Sequence, residues 1–143
     1  MKLIIETIFV GVYTTIIYLL LLLFTKNISI SIILLLFLLG FFKHFFGFYL
    51  GIHNYYCNNG KACNHILQKN IKYNSKSKLL FIESILEGIW FIIAGLFSFS
   101  LFNALKNKNN QVIIIFGLAS FTHILSEYFG IHNYFCKHNC ISY

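Results

Sequence analysis

GIHNYYC at residues 51–57 returns as GIHNYFC at residues 130–136, each time at the end of a long apolar run. The match extends toward the N-terminus. Residues 42–57 align with 121–136, pairing His44 with His123, Tyr49 with Tyr128, Gly51 with Gly130, His53 with His132, Asn54 with Asn133 and Cys57 with Cys136. Apolar composition alone does not produce matched His, Asn and Cys. A second match precedes the first: IETIFVG at 5–11 aligns with IESILEG at 82–88, pairing Glu6 with Glu83 and Gly11 with Gly88. The two registers differ by two residues, which fit in the longer turn around LKNKNN.

The surrounding composition says where such a repeat resides. Of 143 residues, 58% are hydrophobic and only 10% charged, and the mean hydropathy is +0.74. A water-soluble domain does not look like this. Residues 3–24 carry no Lys, and the runs 28–56, 79–105 and 111–135 each exceed the roughly 20 helical residues that cross a hydrocarbon core of about 30 Å. Continuous stretches such as LLLLLF and IILLLFLL make barrel strands, which alternate over about ten residues, the weaker reading. The expectation is an all-α integral membrane protein of four transmembrane helices. Lys2 followed by an apolar run imitates a signal peptide, but the run is long, lacks a small-residue cleavage site and takes part in the repeat. It is expected to stay in the mature protein.

Each repeat is a two-span hairpin, and an even number of crossings returns the chain to its starting side. The two copies therefore point the same way, as parallel repeats about a pseudo-twofold axis along the membrane normal, with matched positions at equal depth. This gives a pseudo-twofold four-helix bundle, a single membrane domain over 1–143. Repeat 1 spans 1–64, the loop 65–77 and repeat 2 78–143, with the second spans of the hairpins facing each other across the bundle.

All eleven cations are Lys, with neither Arg nor Asp, and Ile, Phe, Asn, Lys and Tyr are abundant; this points to an AT-rich genome such as those of some large DNA viruses and parasites. The net charge of +7 is not a nucleic-acid footprint, because the lysines sit in loops and not along one helical face. Lys2, Lys61, Lys69, Lys72, Lys76, Lys78 and Lys137 fall with the termini and middle loop, against Lys26, Lys106 and Lys108 opposite, so the positive-inside rule places both termini in the cytoplasm.

Ionisable side chains in apolar spans are expensive and take partners in the bundle interior. Glu6, Lys43, Glu83, Glu87 and Glu127 are such residues, as are His44 and His123. Lys43, aligned with Thr122, is expected to offset a carboxylate of the second hairpin. His44 and His123 have two readings: hydrogen bonds across helices that aid packing by about 1 kcal/mol, or a shared ligand, a metal or a b-type haem clasped from both sides. His44 and His53 are nine apart, on opposite faces of an unbroken helix. Either Gly51 and Gly130 bend the chain, or the two classes of His do different work.

At the end of each repeat stand two Cys and two His: His53, Cys57, Cys63 and His65, then His132, Cys136, His138 and Cys140. This is the inventory of a tetrahedral zinc site, although HxxxCxxxxxCxH and HxxxCxHxC are not known zinc spacings. The competing reading is disulfides, Cys57 with Cys63 and Cys136 with Cys140, or crosswise between copies. A cytosolic face favours metal, a lumenal one disulfides. Asn54 and Asn133 are expected to cap or turn the helix ends. No phosphate-binding glycine loop, nucleophile elbow, lipid-oxidising histidine box or selectivity-filter sequence occurs.

The functional expectation is a small polytopic, non-enzymatic membrane protein with a Cys/His cluster at one face. Its partners would be the lipid bilayer and other membrane subunits or further copies of itself, and no nucleic acid. The alternative is a membrane redox protein binding metal or haem through the paired His. A third class is proton or ion conduction along Glu83, Glu87, His123 and Glu127.

Overall fold

The computed structural model describes residues 2–25, 30–63, 71–73, 77–101 and 111–142. Leu, Ile and Phe fill the long helices, and 24 residues of α1 (Lys2–Thr25) rise about 36 Å. The second, α2 (Ile32–Tyr49), starts at Ser31, whose extended backbone and Oγ, accepting from Leu34 N at 3.3 Å, form an N-cap. After α3 (Ile52–Asn59) come β1 (Ile71–Tyr73), α4 (Ser77–Leu101), α5 (Gln111–Tyr128), α6 (Ile131–Asn139) and β2 (Cys140–Ser142). The two three-residue strands pair antiparallel, Tyr73 opposite Cys140 and Ile71 opposite Ser142, so part of the expected 65–77 loop is tied to the C-terminal segment.

Four helices, α1, α2, α4 and α5, are long and apolar enough to cross a membrane. Apolar side chains cover their outer faces as well as their inner ones: Leu23 and Phe24 are 73% and 81% exposed. A helix that is hydrophobic all round needs an apolar surrounding. Hydroxyl groups in these helices bond to their own helix, as where Thr14 donates to Val10 O and Ser84 to Leu80 O, both at 2.8 Å.

The packing partners are α2 with α4 and α1 with α5, so each hairpin's first long helix lies against the second long helix of the other hairpin. Small residues allow the approach. A Cβ on Gly40 would stand 2.5 Å from the Glu87 carbonyl oxygen. One on Gly11 would meet the Phe116 ring at 2.7 Å, and one on Gly88 the Phe37 ring at 2.7 Å. Gly11 and Gly88 are matched positions, and so are Phe37 and Phe116, which makes the two contacts copies of each other. Between the helices a core forms around Ile17, Tyr18, Leu36, Leu39, Phe91 and Ile115.

The runs 28–56 and 111–135 are each interrupted, at the glycines where a bend was one of the two expected alternatives. Helix α2 stops at Tyr49 and α3 resumes at Ile52; α5 stops at Tyr128 and α6 resumes at Ile131. At both breaks a glycine is left-handed, Gly51 with φ 73° and Gly130 with φ 74°. The hydrogen bonds repeat as well: Leu50 N to Phe46 O and Gly51 N to Phe48 O in one copy, Phe129 N to Leu125 O and Gly130 N to Glu127 O in the other. A left-handed glycine after the last turn is a common helix stop. The turning residue is thus the glycine and not Asn54 or Asn133, which lie inside the short helices; Asn54 Oδ1 instead accepts from Tyr73 N at 2.8 Å.

A Cβ placed on either break glycine would have no neighbouring atom within 4 Å, so the conformation alone is what a side chain would oppose. Gly51→Ala and Gly130→Ala should each destabilise by about 1–2 kcal/mol, seen as a lower unfolding midpoint in detergent. Gly117→Ala, with the same open space inside a regular helix, should be neutral or slightly stabilising. Equal behaviour of all three variants would show that the break is not needed.

Candidate functional site

The glycine break decides between the two readings of the His spacing. By turning the chain it returns His53 to His44, ring centroids 4.4 Å apart, and His132 to His123, 4.5 Å apart. Each deeper imidazole also faces the carboxylate of the other repeat: His44 Nε2 lies 3.2 Å from Glu83 Oε2, and His123 Nε2 lies 3.7 Å from Glu6 Oε2. The neighbours of His44 and His123 are therefore these groups. A haem held between the two would require both imidazoles to leave them and aim at one iron.

Around the matched pairs the halves differ. Glu83 is fully engaged, since Tyr73 OH donates to Oε2 at 2.6 Å and Asn139 Nδ2 donates to Oε1 at 2.7 Å. In the other half the Lys61 backbone N–H donates to Glu6 Oε1 at 2.9 Å, whereas Oε2 has no hydrogen-bond partner among the described residues. Glu127 bonds His132 Nδ1 at 2.9 Å and lies 3.7 Å from Lys61 Nζ. Lys43 Nζ meets Glu87 Oε1 at 2.5 Å and sits 5.0 Å over the Phe91 ring.

The cysteines come together from both repeats as two crossed disulfides, Cys57–Cys140 and Cys63–Cys136, with Cα separations of 5.6 and 5.1 Å. The pairing within each end, Cys57 with Cys63 and Cys136 with Cys140, is overturned: Cys57 in α3 bonds Cys140 at the start of β2, and Cys63, just past α3, bonds Cys136 in α6, so each bridge joins one repeat to the other. Sγ of Cys63 and Sγ of Cys140, in different bridges, are 3.9 Å apart, and Cys63, Cys136 and Cys140 hold their sulfurs within 4.8 Å of one another. Phe48, Tyr56 and Phe135 pack around them. The histidines expected to complete two Cys/His sets are placed elsewhere. His53 and His132 lie beside the deeper imidazoles, His138 is exposed with Nδ1 2.9 Å from Tyr134 O, and His65 is outside the described residues.

Burial, followed by His44 and Lys43, lowers the His53 pKa from 6.5 to about 2, so His53 is neutral in the fold. Burial also raises the Tyr56 phenol, with Glu127 and Glu6 adding to the shift. Tyr56 therefore keeps its proton. Beside it lies a cavity of about 520 Å³, lined by Glu6, Phe9, Leu50, Ile52, Tyr56 and His123 among others.

Tyr73 and Asn139 are site residues that the repeat did not reveal, since the repeat alignment stops short of both. Comparison of the chain with protein-family models, curated proteins and solved structures finds no match.

Two outcomes follow from this geometry. Glu87→Gln leaves the Lys43 ammonium without its counter-charge and should cost about 3–5 kcal/mol, whereas the double variant Lys43→Met with Glu87→Met should recover most of that; unfolding midpoints of the three proteins decide it. For His53 the unfolded chain binds a proton near pH 6.5 and the fold does not until about pH 2. Its contribution is complete above pH 6.5 and is lost as the pH falls below. His53→Phe should reduce the fall in stability between pH 6 and 4 by up to about 1.4 kcal/mol per pH unit.

Proposed function

We propose that this chain is a non-enzymatic integral membrane protein, built from two parallel hairpins about a pseudo-twofold axis along the membrane normal. Its two polar ends are clamped together by disulfides, and it serves as a rigid scaffold for lipid or neighbouring subunits. The observation that carries this reading is the crossed pairing of all four cysteines, which joins the end of one hairpin to the end of the other twice. The matched contacts of Gly11 with Phe116 and Gly88 with Phe37, and the reciprocal facing of Glu6 to His123 and Glu83 to His44, support the parallel arrangement.

One bridge closing a loop with a sequence separation of 83 contributes about 4 kcal/mol by the chain-entropy argument. The second then closes only the short segments between the cysteines, so its main effect is to fix orientation. A structural role also fits the use of charge. Lys43 with Glu87, and Lys61 with Glu127, neutralise one another within the chain, which opposes a continuous path for ions. Because the bridges need an oxidising compartment, this reading puts the disulfide end and both termini on the lumenal or extracellular side. That is opposite to the side given by the lysine count, which leans on the single segment 69–78.

A second reading keeps the lysine count. With the same end in a reducing cytosol, the sulfurs of Cys63, Cys136 and Cys140, within 4.8 Å of one another, and that of Cys57, bonded here to Cys140, would hold one zinc ion as a Cys₄ site, where tetrahedral ligands sit about 2.3 Å from the metal.

Peptide mapping of unreduced protein from native membranes separates the two. The scaffold reading expects cross-linked peptides joining Cys57 to Cys140 and Cys63 to Cys136, and a lower unfolding midpoint after reduction. Four alkylatable thiols with one zinc per chain would replace it by the second reading, and bridges confined to single repeats would contradict both.

A further inference from the structure

We propose that the cavity beside Glu6 binds a membrane-soluble phenol, a hydroxyl-bearing aromatic ring with an apolar tail, in the position that the Tyr73 side chain occupies in the other half of the protein. Tyr73 supplies the pattern. Its hydroxyl donates to Glu83 Oε2 at 2.6 Å, beside His44 Nε2 at 3.2 Å from the same oxygen. Its ring lies 4.7 Å from His53 and stacks on Phe135 at 5.4 Å.

Each of these neighbours has a counterpart in the first half. Glu6 matches Glu83, His123 matches His44, His132 matches His53, and Tyr56 matches Phe135. The first carboxylate oxygen is satisfied in both halves from the end of a GIHN segment, by Asn139 Nδ2 at Glu83 and by the Lys61 N–H at Glu6. The second oxygen differs. On Glu83 it accepts from a phenol, while on Glu6 no described residue donates to it, and Glu6 is one of the residues that line the 520 Å³ cavity.

Two more buried atoms, His123 Nε2 and Tyr56 OH, belong to residues that line the cavity and lack a hydrogen-bond partner among the described residues. His123 is only 5% exposed, so its ring nitrogen is withdrawn from solvent and turned toward the carboxylate. Leaving buried polar atoms unpaired costs about 1–3 kcal/mol each, and one ligand hydroxyl answers all three. It donates to Glu6 Oε2 and, through its two lone pairs, accepts from both His123 Nε2–H and Tyr56 OH.

The rest of the wall suits the rest of such a molecule. Phe9, Val10, Leu50 and Ile52 line an apolar passage from α1 to the α2–α3 break, along which a hydrocarbon tail leaves toward the lipid. The volume lies within the roughly 300–1,000 Å³ typical of small-molecule sites. An anionic head at the depth of these three atoms is opposed by Glu6, with Lys2 the cation that also lines the cavity, and a purely apolar guest would leave the three polar atoms unanswered. Hydroquinones carry the same recognised group twice and belong to the same class.

The test uses the full chain in detergent micelles, with 4-octylphenol and its methyl ether 4-octylanisole as probes, by calorimetry. The ether keeps the ring and tail and loses only the donor hydroxyl. Binding of one 4-octylphenol per chain, at least tenfold tighter than the ether, is expected, and Glu6→Gln should weaken the phenol at least tenfold. Equal binding of phenol and ether by the wild-type protein would overturn the proposal without reference to any variant. So would unchanged phenol affinity in folded Glu6→Gln. Either failure leaves the disulfide pattern, and the scaffold reading that rests on it, standing.

Discussion

A carboxylate set into an apolar helix must meet a cation or a proton donor at its own depth, because no solvent is there to answer it. All four carboxylates of this chain stand in such helices, and three of them turn toward a side chain on a helix of the other repeat: Glu6 toward His123, Glu83 toward His44 and Glu87 toward Lys43. Leu, Ile and Phe pack against one another in many rotations and heights with little preference. The polar pairs remove that freedom, fixing α1 against α5 and α4 against α2, and so carry the two GIHN segments to the same end. Only there do the four cysteines come within bonding distance.

Much of this was legible because improbable residues were repeated. Matched His, Asn and Cys stand out in a greasy chain and align its two halves. The nine-residue interval between His44 and His53 posed a definite alternative, a bend or a division of labour, and Gly51 resolves it by turning left-handed. Cysteine pairing was not legible, since four cysteines allow three connectivities and spacing does not choose among them. Lysine counting and the bridges point to opposite compartments for the cysteine end, and the sequence does not choose between them. Tyr73 stayed hidden for another reason. It lies in a lysine-rich segment with no apolar period, and its importance arises only when strand pairing with 140–142 delivers its hydroxyl to Glu83.

The two halves have kept their frame and changed their contents. Lys43 and Glu87 form a pair whose matched positions hold Thr122 and Val10, and Glu127 stands where the first copy has Phe48. Near the end of the bundle the second repeat's acid is closed over by Tyr73 and Asn139, while the first repeat's acid opens on a cavity. One copy thus contributes mainly to cohesion, and the other retains a polar recess in an apolar wall. The crossed bridges hold both against the same small core of sulfur and aromatic rings.

The central claim is that the duplicated hairpins run parallel, so that matched residues share a side of the membrane. Tyr55 and Tyr134 are matched, each 66% exposed and each in a short helix just past a glycine break. Cysteines introduced one at a time at these positions, in sealed vesicles treated with a membrane-impermeant maleimide, report the side directly. The account predicts that Tyr55→Cys and Tyr134→Cys are labelled from the same side, with the native bridged sulfurs silent. Labelling from opposite sides would mean inverted repeats and would contradict it.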